Sequence, residues 1–496
     1  VGTNPVVSHG YGTALPDPVR RLRDYRTGGG RVWVLDPRRT ETAALADAHL
    51  ATRPGSDVAV LAALANALLR DGADASELQN HCDENEVTAL RAALEPFTIE
   101  RAADAADVDP ADLERLVHDV RAAPGRVAMQ CGTGVTMARD GIVAEWLRWV
   151  VLIASGSLDR PGGMVFHRGV IRPFRARSTP RPTPRPAPAG PASRAELPRV
   201  VGQIPAVALA DEIEAGNIRA LFVTGGNPLL AFPQPDRLRS ALARLDVLAV
   251  VDVTENDLTE LATHVLPATG QLERADLTLA EPTALRAGLQ STRAVVAPGA
   301  DRRPVWWMFA KLDEAMGRDA PTLGLTTDEQ YLRGLLRHAR LEADAVFTAG
   351  PRGLDAGIEY GWVRESFLPD GKWSIAPAPM LHRLAAWHDP VREGTVLAPR
   401  REMARSNSIT YGTGAPNPVV RMHPTTAPSA PAVTLTTNNG SITAACTVDA
   451  NVRPDVVSVT HGYPDANPGA LTSAENEIDP LTAMPLVAGL PVRVEN

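Results

Sequence analysis

The sequence predicts a mixed α/β chain: two units of parallel sheet with helices on their faces, then an all-β carboxy-terminal unit folded as a barrel. Three observations carry this. Short apolar runs alternate with helical stretches to about residue 130, the pattern of a parallel sheet covered by helices. The same texture returns near residue 207, around a turn like the one that opens the chain. Past residue 395 the sequence becomes short, alternating and rich in Thr and Val, broken by Asn-Gly and Pro turns. A chain of 496 residues exceeds what one apolar core supports. The expected units are 1–130, 131–390 and 395–496.

Taken in order, RVWVLD (31–36) follows three glycines and is apolar enough for a strand buried on both faces. PGSDVAVLAALANALLRDG (54–72) predicts a helix. Ser56 or Asp57 can cap it, Leu61, Leu64, Ala65 and Leu68 form one stripe, and Gly72 suits its stop. In DPADLERLVHDVRAA (109–123), Asp109 caps a second helix and Pro110 takes its first position. RVAMQCG (126–132) reads as a strand and GIVAEWLRWVVLIASG (141–156) as a helix. From Arg172 to Arg199, Pro and Arg dominate, and because Pro removes backbone donors this loop 172–199 is expected to be extended and solvated. A helix then feeds the strand ALFVT (220–224), followed by the strands LAVVDV (248–253) and HVLPAT (264–269). AVTLTTNNGSITAACTVDANVRPDVVSVTHGYP (432–464) supplies strands of the barrel.

Composition excludes several functions. A net charge of −8 argues against nucleic acid as a partner. No apolar run approaches the twenty residues of a membrane span. Cys82, Cys131 and Cys446 are far apart and none sits in a C-x-x-C pair, so a reducing, cytoplasmic setting is expected, with no disulfide framework or zinc knuckle.

The chemistry lies in a doubled motif. GTNP (2–5) precedes a strand ending at Asp36, and GGNP (225–228) precedes one ending at Asp252. Thr40-Glu41 answers Thr254-Glu255, and His49-Leu50 answers His264-Val265. Glycine lets the backbone approach a bulky group, and the turn after it leaves amides free for phosphate oxygens. An Asp at the carboxyl edge of a parallel sheet can accept from ribose hydroxyls or guanine N–H groups. The helix start at Pro54–Asp57 favours an anion. Two such half-sites imply two similar ligands, or one roughly symmetric ligand between related lobes. A thiamine-type dinucleotide enzyme is disfavoured by the lack of G-x-G-x-x-G and of an acidic metal-diphosphate motif.

Long stretches carry a resemblance. They are GTNPVVSH (2–9), DPRRTETAALADAHLATRPGSD (36–57), GSLDRPGGMVF (156–166), RALFVTGGNPLLAFPQPDRLRSAL (219–242), VLPATGQLERAD (265–276) and THGYPDANPGALTSAENEIDPLTAMPLVAGLPVRVE (460–495). In this order they resemble the molybdopterin oxidoreductase family, which includes enzymes of the formate dehydrogenase, nitrate reductase and DMSO reductase type. The resemblance implies two related Rossmann-like domains and a double-psi barrel, holding bis-molybdopterin guanine dinucleotide with Mo or W. It implies that Gly2, Thr3, Asn4, Asp36, Thr40, Gly55 and Asp57 line the first dinucleotide site. Gly132, Thr133 and Gly134 would lie between the lobes. Gly225, Gly226, Asn227, Asp252 and Asn256 would line the second site, and Asn407, His461, Gly462 and Asn467 would close over the cofactor from the barrel.

The sequence departs from that family as well. Relatives normally begin with four cysteines around an iron–sulfur cluster, then the residue that ligates the metal, and neither occurs here. The expectation is an amino-terminally truncated chain, with the iron–sulfur cluster and the metal ligand confined to the missing part and catalytic residues unassigned. Thr-Glu-Asn at 254–256 replaces the more usual Thr-Glu-Thr. The implied function is two-electron redox chemistry on a small formate- or nitrate-type substrate, with electron-transfer proteins as partners. The alternative is a non-catalytic cofactor-binding remnant or an assembly subunit.

Overall fold

The computed structural model describes residues 1–9, 15–174, 190–200, 202–279, 287–390, 393–403, 405–406, 409–410 and 418–495. The centre of the loop 172–199 and Asn407 lie outside the described residues.

In the first unit, β1 (Trp33–Leu35) pairs in parallel with β2 (Ala48–Leu50), Leu35 opposite Leu50. The helix α1 (Asp57–Asp71) runs through the middle of this unit. Its predicted stripe of Leu61, Leu64, Ala65 and Leu68 is too narrow: from Val58 to Leu69 every residue except Asn66 is buried. A helix apolar all round is one enclosed on all sides. The helix α2 (Gly141–Ala154) packs along it. One apolar core takes in Leu61, Leu64, Leu147 and Leu152, continues to Leu158, and includes Trp373, Ile375, Leu384 and Trp387. The division expected at residue 130 therefore falls inside one core.

RVAMQCG forms no strand. Its donors and acceptors go elsewhere: Val127 N–H donates to Ser157 Oγ at 3.0 Å, the Val1 amine donates to Gln130 O at 2.7 Å, and Gly132 N–H donates to Val1 O at 2.9 Å. Ser56 stands at the start of α1, but its hydroxyl donates back to Arg53 O at 2.7 Å and caps nothing.

The second sheet is parallel throughout, in the order β3 (Ala220–Thr224), β4 (Val247–Asp252), β5 (His264–Pro267). Leu229, Leu238, Leu242, Leu248, Val250 and Leu258 form its own core.

The last unit is a closed barrel of six strands: β6 (Thr395–Arg400), β7 (Val419–Met422), β8 (Ala432–Thr436), β9 (Ser441–Val448), β10 (Val456–Thr460) and β11 (Pro491–Glu495). Around the barrel they run β6-β10-β7-β9-β8-β11, and β11 closes back on β6. The β6/β10 and β7/β9 pairs are parallel and the rest antiparallel. Leu397, Val420, Val433, Leu435 and Val457 fill it.

The barrel touches both α/β units. Towards the first, Arg39 N–H donates to Asn451 O at 2.7 Å and Arg453 N–H to Pro37 O at 3.1 Å. Towards the second, Asn467 Nδ2 donates to Leu229 O at 2.7 Å and Gln234 N–H to Gly469 O at 3.0 Å. Among the described residues no helix is long and apolar enough to cross a membrane.

Candidate functional site

The two copies of the motif share one backbone frame. Gly2 and Gly225 both take positive φ, 54° and 64°, which Gly adopts without the Cβ penalty. Gly2 N–H donates to Leu35 O at 2.8 Å, and Gly225 N–H donates to Val251 O at 3.0 Å. Two residues on, Asn4 Nδ2 donates to Glu41 Oε2 at 2.7 Å, and Asn227 Nδ2 donates to Asp257 Oδ1 at 2.5 Å. Each Asn thus fastens the Gly turn to an acid five residues beyond the strand-ending Asp. This corrects the equivalences drawn from sequence. Glu41 answers Asp257 and not Glu255. Since Leu35 pairs with Leu50 and Val251 with Leu266, His49 answers Val265 and not His264.

A cavity of 440 Å³ opens at the carboxyl edge of the first sheet, between that edge and the barrel. Gly2, Thr3, Asn4, Asp36, Thr40, Asp57, Thr133 and Gly134 line it together. Its opposite wall is the segment from Ala398 to Met403, with Arg405, Val456 and Ser458. Gly55 and Gly132 do not line it. A Cβ on Gly132 would sit 2.3 Å from Gly2 O, so only glycine lets these two turns meet.

Asp36 and Asp57 give the cavity its acidic side. Burial pushes the Asp36 carboxyl up to about 6, against the hydrogen bond from Arg38 N–H and the Arg38 charge. Burial likewise raises Asp57 to about 6, and the Asp36 charge adds to the effect. Asp57 is the first residue of α1, so the helix start expected to attract a ligand anion already carries a carboxylate of its own.

The facing side is basic, and sequence reasoning did not single it out. Arg400, Arg401 and Arg405 line the cavity there, and Arg38 lines it from the first unit, next to Asp36. Arg400 is buried and donates to Ser458 O and Val419 O, both at 2.6 Å, and to Glu402 Oε1 at 3.1 Å. Burial, helped by the nearby Arg421 charge, pulls its guanidinium down to about 10. Arg405 stacks on the Tyr463 ring at 3.3 Å and donates to Gly462 O at 2.6 Å. Among the described residues the Nε atoms of Arg400 and Arg405 are buried without an acceptor, as are those of Arg53, Arg121, Arg364 and Arg383 outside the cavity lining. The run PRREMAR (399–405) was the available signal.

The other expected residues lie elsewhere. Gly225, Gly226, Asn227, Asp252 and Asn256 sit at the edge of the second sheet and do not line this cavity. His461 and Gly462 stand behind Arg400 and Arg405, outside the lining. Burial lowers the His461 imidazole to about 4, so the ring is neutral at physiological pH. Asn467 is buried and fastens the barrel to Leu229. Among the described residues no three His, Cys, Asp or Glu side chains are grouped to hold a metal ion.

Such a donor set can take a nucleotide diphosphate. Carboxylates at a sheet edge can accept from guanine and ribose, and the opposed arginines can bind a diphosphate bidentately. The volume falls in the range of roughly 300–1,000 Å³ usual for small-molecule sites.

The model of the molybdopterin oxidoreductase family matches residues 1–315, and that of the molybdopterin dinucleotide-binding domain matches residues 400–491. The nitrate reductase of Klebsiella oxytoca is 25% identical over 304 residues, 58% of this chain and 33% of the relative. Formate dehydrogenase H of Escherichia coli (strain K12) is 25% identical over 338 residues, 64% of this chain and 44% of the relative. The F420-dependent formate dehydrogenase subunit alpha of Methanocaldococcus jannaschii is 24% identical, covering 100% of this chain and 76% of its own. The matches to the nitrate reductase and to formate dehydrogenase H thus span less than half of those relatives. Acetylene hydratase from Pelobacter acetylenicus shares the fold, with a TM-score of 0.79 at 16% identity over 97% of this chain and 76% of that one. The chain belongs to the molybdopterin oxidoreductase family.

Proposed function

We propose that the chain binds molybdopterin guanine dinucleotide in the cavity between its first sheet and its barrel. There it would serve two-electron redox chemistry on a small substrate of the formate or nitrate type. One observation carries this reading: six residues assigned to the first dinucleotide site from sequence, and two assigned to the loop between the lobes, line a single cavity with Arg400, Arg401 and Arg405 opposite them. Asp57 and Asp36 would take the guanine and ribose, and Arg38, Arg400, Arg401 and Arg405 the diphosphate. The Gly2 and Gly134 backbone would bound the pterin end.

Bound there, the cofactor supplies a Mo or W centre that exchanges an electron pair with the substrate. The chain's part is to bind the dinucleotide, fix its orientation and keep water from the cavity floor. An electron-transfer protein would complete the circuit. Free Cys82, Cys131 and Cys446 suit a reducing, cytoplasmic compartment.

The test is to purify the chain from a host that makes the cofactor and measure Mo and W by plasma mass spectrometry and GMP after acid release. Metal and GMP together support the reading, and the absence of both overturns it. Metal and GMP without dye-linked turnover of formate or nitrate would favour a non-catalytic cofactor-binding subunit.

A further inference from the structure

The shared frame of the two half-sites makes their differences informative. Counting from the paired strand residues Leu50 and Leu266, the counterpart of Asp57 in the second unit is Glu273. The two acids face different things. Asp57 opens onto the 440 Å³ cavity. Glu273 is turned back on its own backbone: Oε2 accepts from Gly270 N–H at 2.8 Å, and Oε1 accepts from Arg302 Nη1 at 2.7 Å and Gly299 N–H at 3.4 Å.

The strand-ending acids differ in the same sense. Asp36 receives Arg38 N–H on Oδ1 at 3.0 Å and turns into the cavity. Asp252 has both oxygens engaged, Oδ1 by Val253 N–H at 2.6 Å and Oδ2 by Asn256 Nδ2 at 3.2 Å. Asn256 is itself held, its Oδ1 accepting from Leu258 N–H at 3.0 Å and Thr259 N–H at 3.3 Å. The acid that fastens Asn227 is spoken for too, because Asp257 Oδ2 pairs with Arg239 at 2.9 Å. The glycines differ too, among the described residues. A Cβ on Gly225 or Gly226 would meet no atom within 4 Å, whereas the first turn packs against Gly132, Gly134 and Val135.

We propose that this chain holds one guanine dinucleotide, in the first half-site, and that the second half-site keeps the backbone frame of a nucleotide site while its acids serve only the chain itself. A second dinucleotide would have to displace three backbone amides, an Asn amide and an Arg–Glu pair before these acids could meet it. The inference rests on the function proposed above and adds its stoichiometry.

The experiment is acid-released GMP per protein in the full chain purified from the cofactor-making host, paired with equilibrium dialysis of GDP against the apo chain. The expected ratio is one in both. Asp57→Asn should lower both at least tenfold. Asp252→Asn and Glu273→Gln should leave both at one, and they keep the test decisive if D57N folds poorly. A ratio of two, or a fall to half in D252N or E273Q, overturns the single-site inference while leaving the proposed function standing. A ratio of zero in the unmodified chain overturns both.

Discussion

Asp36 and Asp57 show how one side chain's surroundings set a measurable property. A carboxyl raised from 3.8 to about 6 in the native state holds its proton where the unfolded chain has lost it. Stability therefore falls as pH rises from about 4 to about 6 and then levels, because in that window the native state binds more protons than the unfolded one. Two units on one group correspond to roughly 2–3 kcal/mol. We expect Asp57→Asn to stabilise the empty protein at pH 7 by on the order of 2 kcal/mol and to have little effect near pH 4. Urea unfolding at the two pH values reads this directly, and equal effects at both would show that Asp57 ionises freely. The same substitution weakens the proposed guanine contact, so stability and binding should move in opposite directions. Sequence located these acids but misaligned their surroundings. Thr40-Glu41 and Thr254-Glu255 look alike as letters, yet the Gly2–Leu35 and Gly225–Val251 hydrogen bonds fix a register shifted by two.

Elements were legible where their signals are local. The Gly72 stop and the buried periodicity placed α1 correctly, and Asp109 caps its helix by accepting from Ala111 N–H at 2.9 Å. RVAMQCG misled because a strand needs a partner, and its partners are chosen by distant segments at Val1 and Ser157. The stripe read on α1 was too narrow for a similar reason: Ala59, Ala62 and Ala63 are small enough to suit any face, and only packing against α2 and the helices around it shows that they are all enclosed. That enclosure sets an expectation. Leu64 is 1% exposed at the centre of the core, so Leu64→Ala should cost about 3 kcal/mol through lost burial and an unfilled cavity. Leu64→Met, which nearly conserves volume, should cost less than about 1.5 kcal/mol. Tryptophan fluorescence in urea measures both, since Trp146, Trp373 and Trp387 lie in that core.

At the scale of the whole molecule, the cavity exists only because the barrel wall meets the first sheet edge. That is why the run PRREMAR carried no functional reading in sequence: its arginines become a ligand wall only after two units some 350 residues apart have docked. The docking is held by two buried arginines and the carboxylates they meet. Arg453 donates to Ala51 O at 2.5 Å and to Asp107 Oδ2 at 2.7 Å, and it pairs with Asp455 at 2.9 Å. Asp455 in turn pairs with the buried Arg53. Removing Arg453 takes away its hydrogen bonds to Ala51 O and Asp107 but leaves Asp455 paired with Arg53, a loss of about 1.5–3 kcal/mol. Arg453→Ala should therefore loosen the barrel from the first unit before it unfolds either one. Hydrogen exchange should quicken at the Arg39 and Arg453 amides, which cross the junction, and stay slow at Leu61–Leu68 inside α1 and at Val457 inside the barrel. If the arginine wall is part of the ligand site, GDP binding to the variant should fall together with that protection. Binding that persists while the junction exchanges freely would place the nucleotide on the first unit alone and remove the barrel from the site.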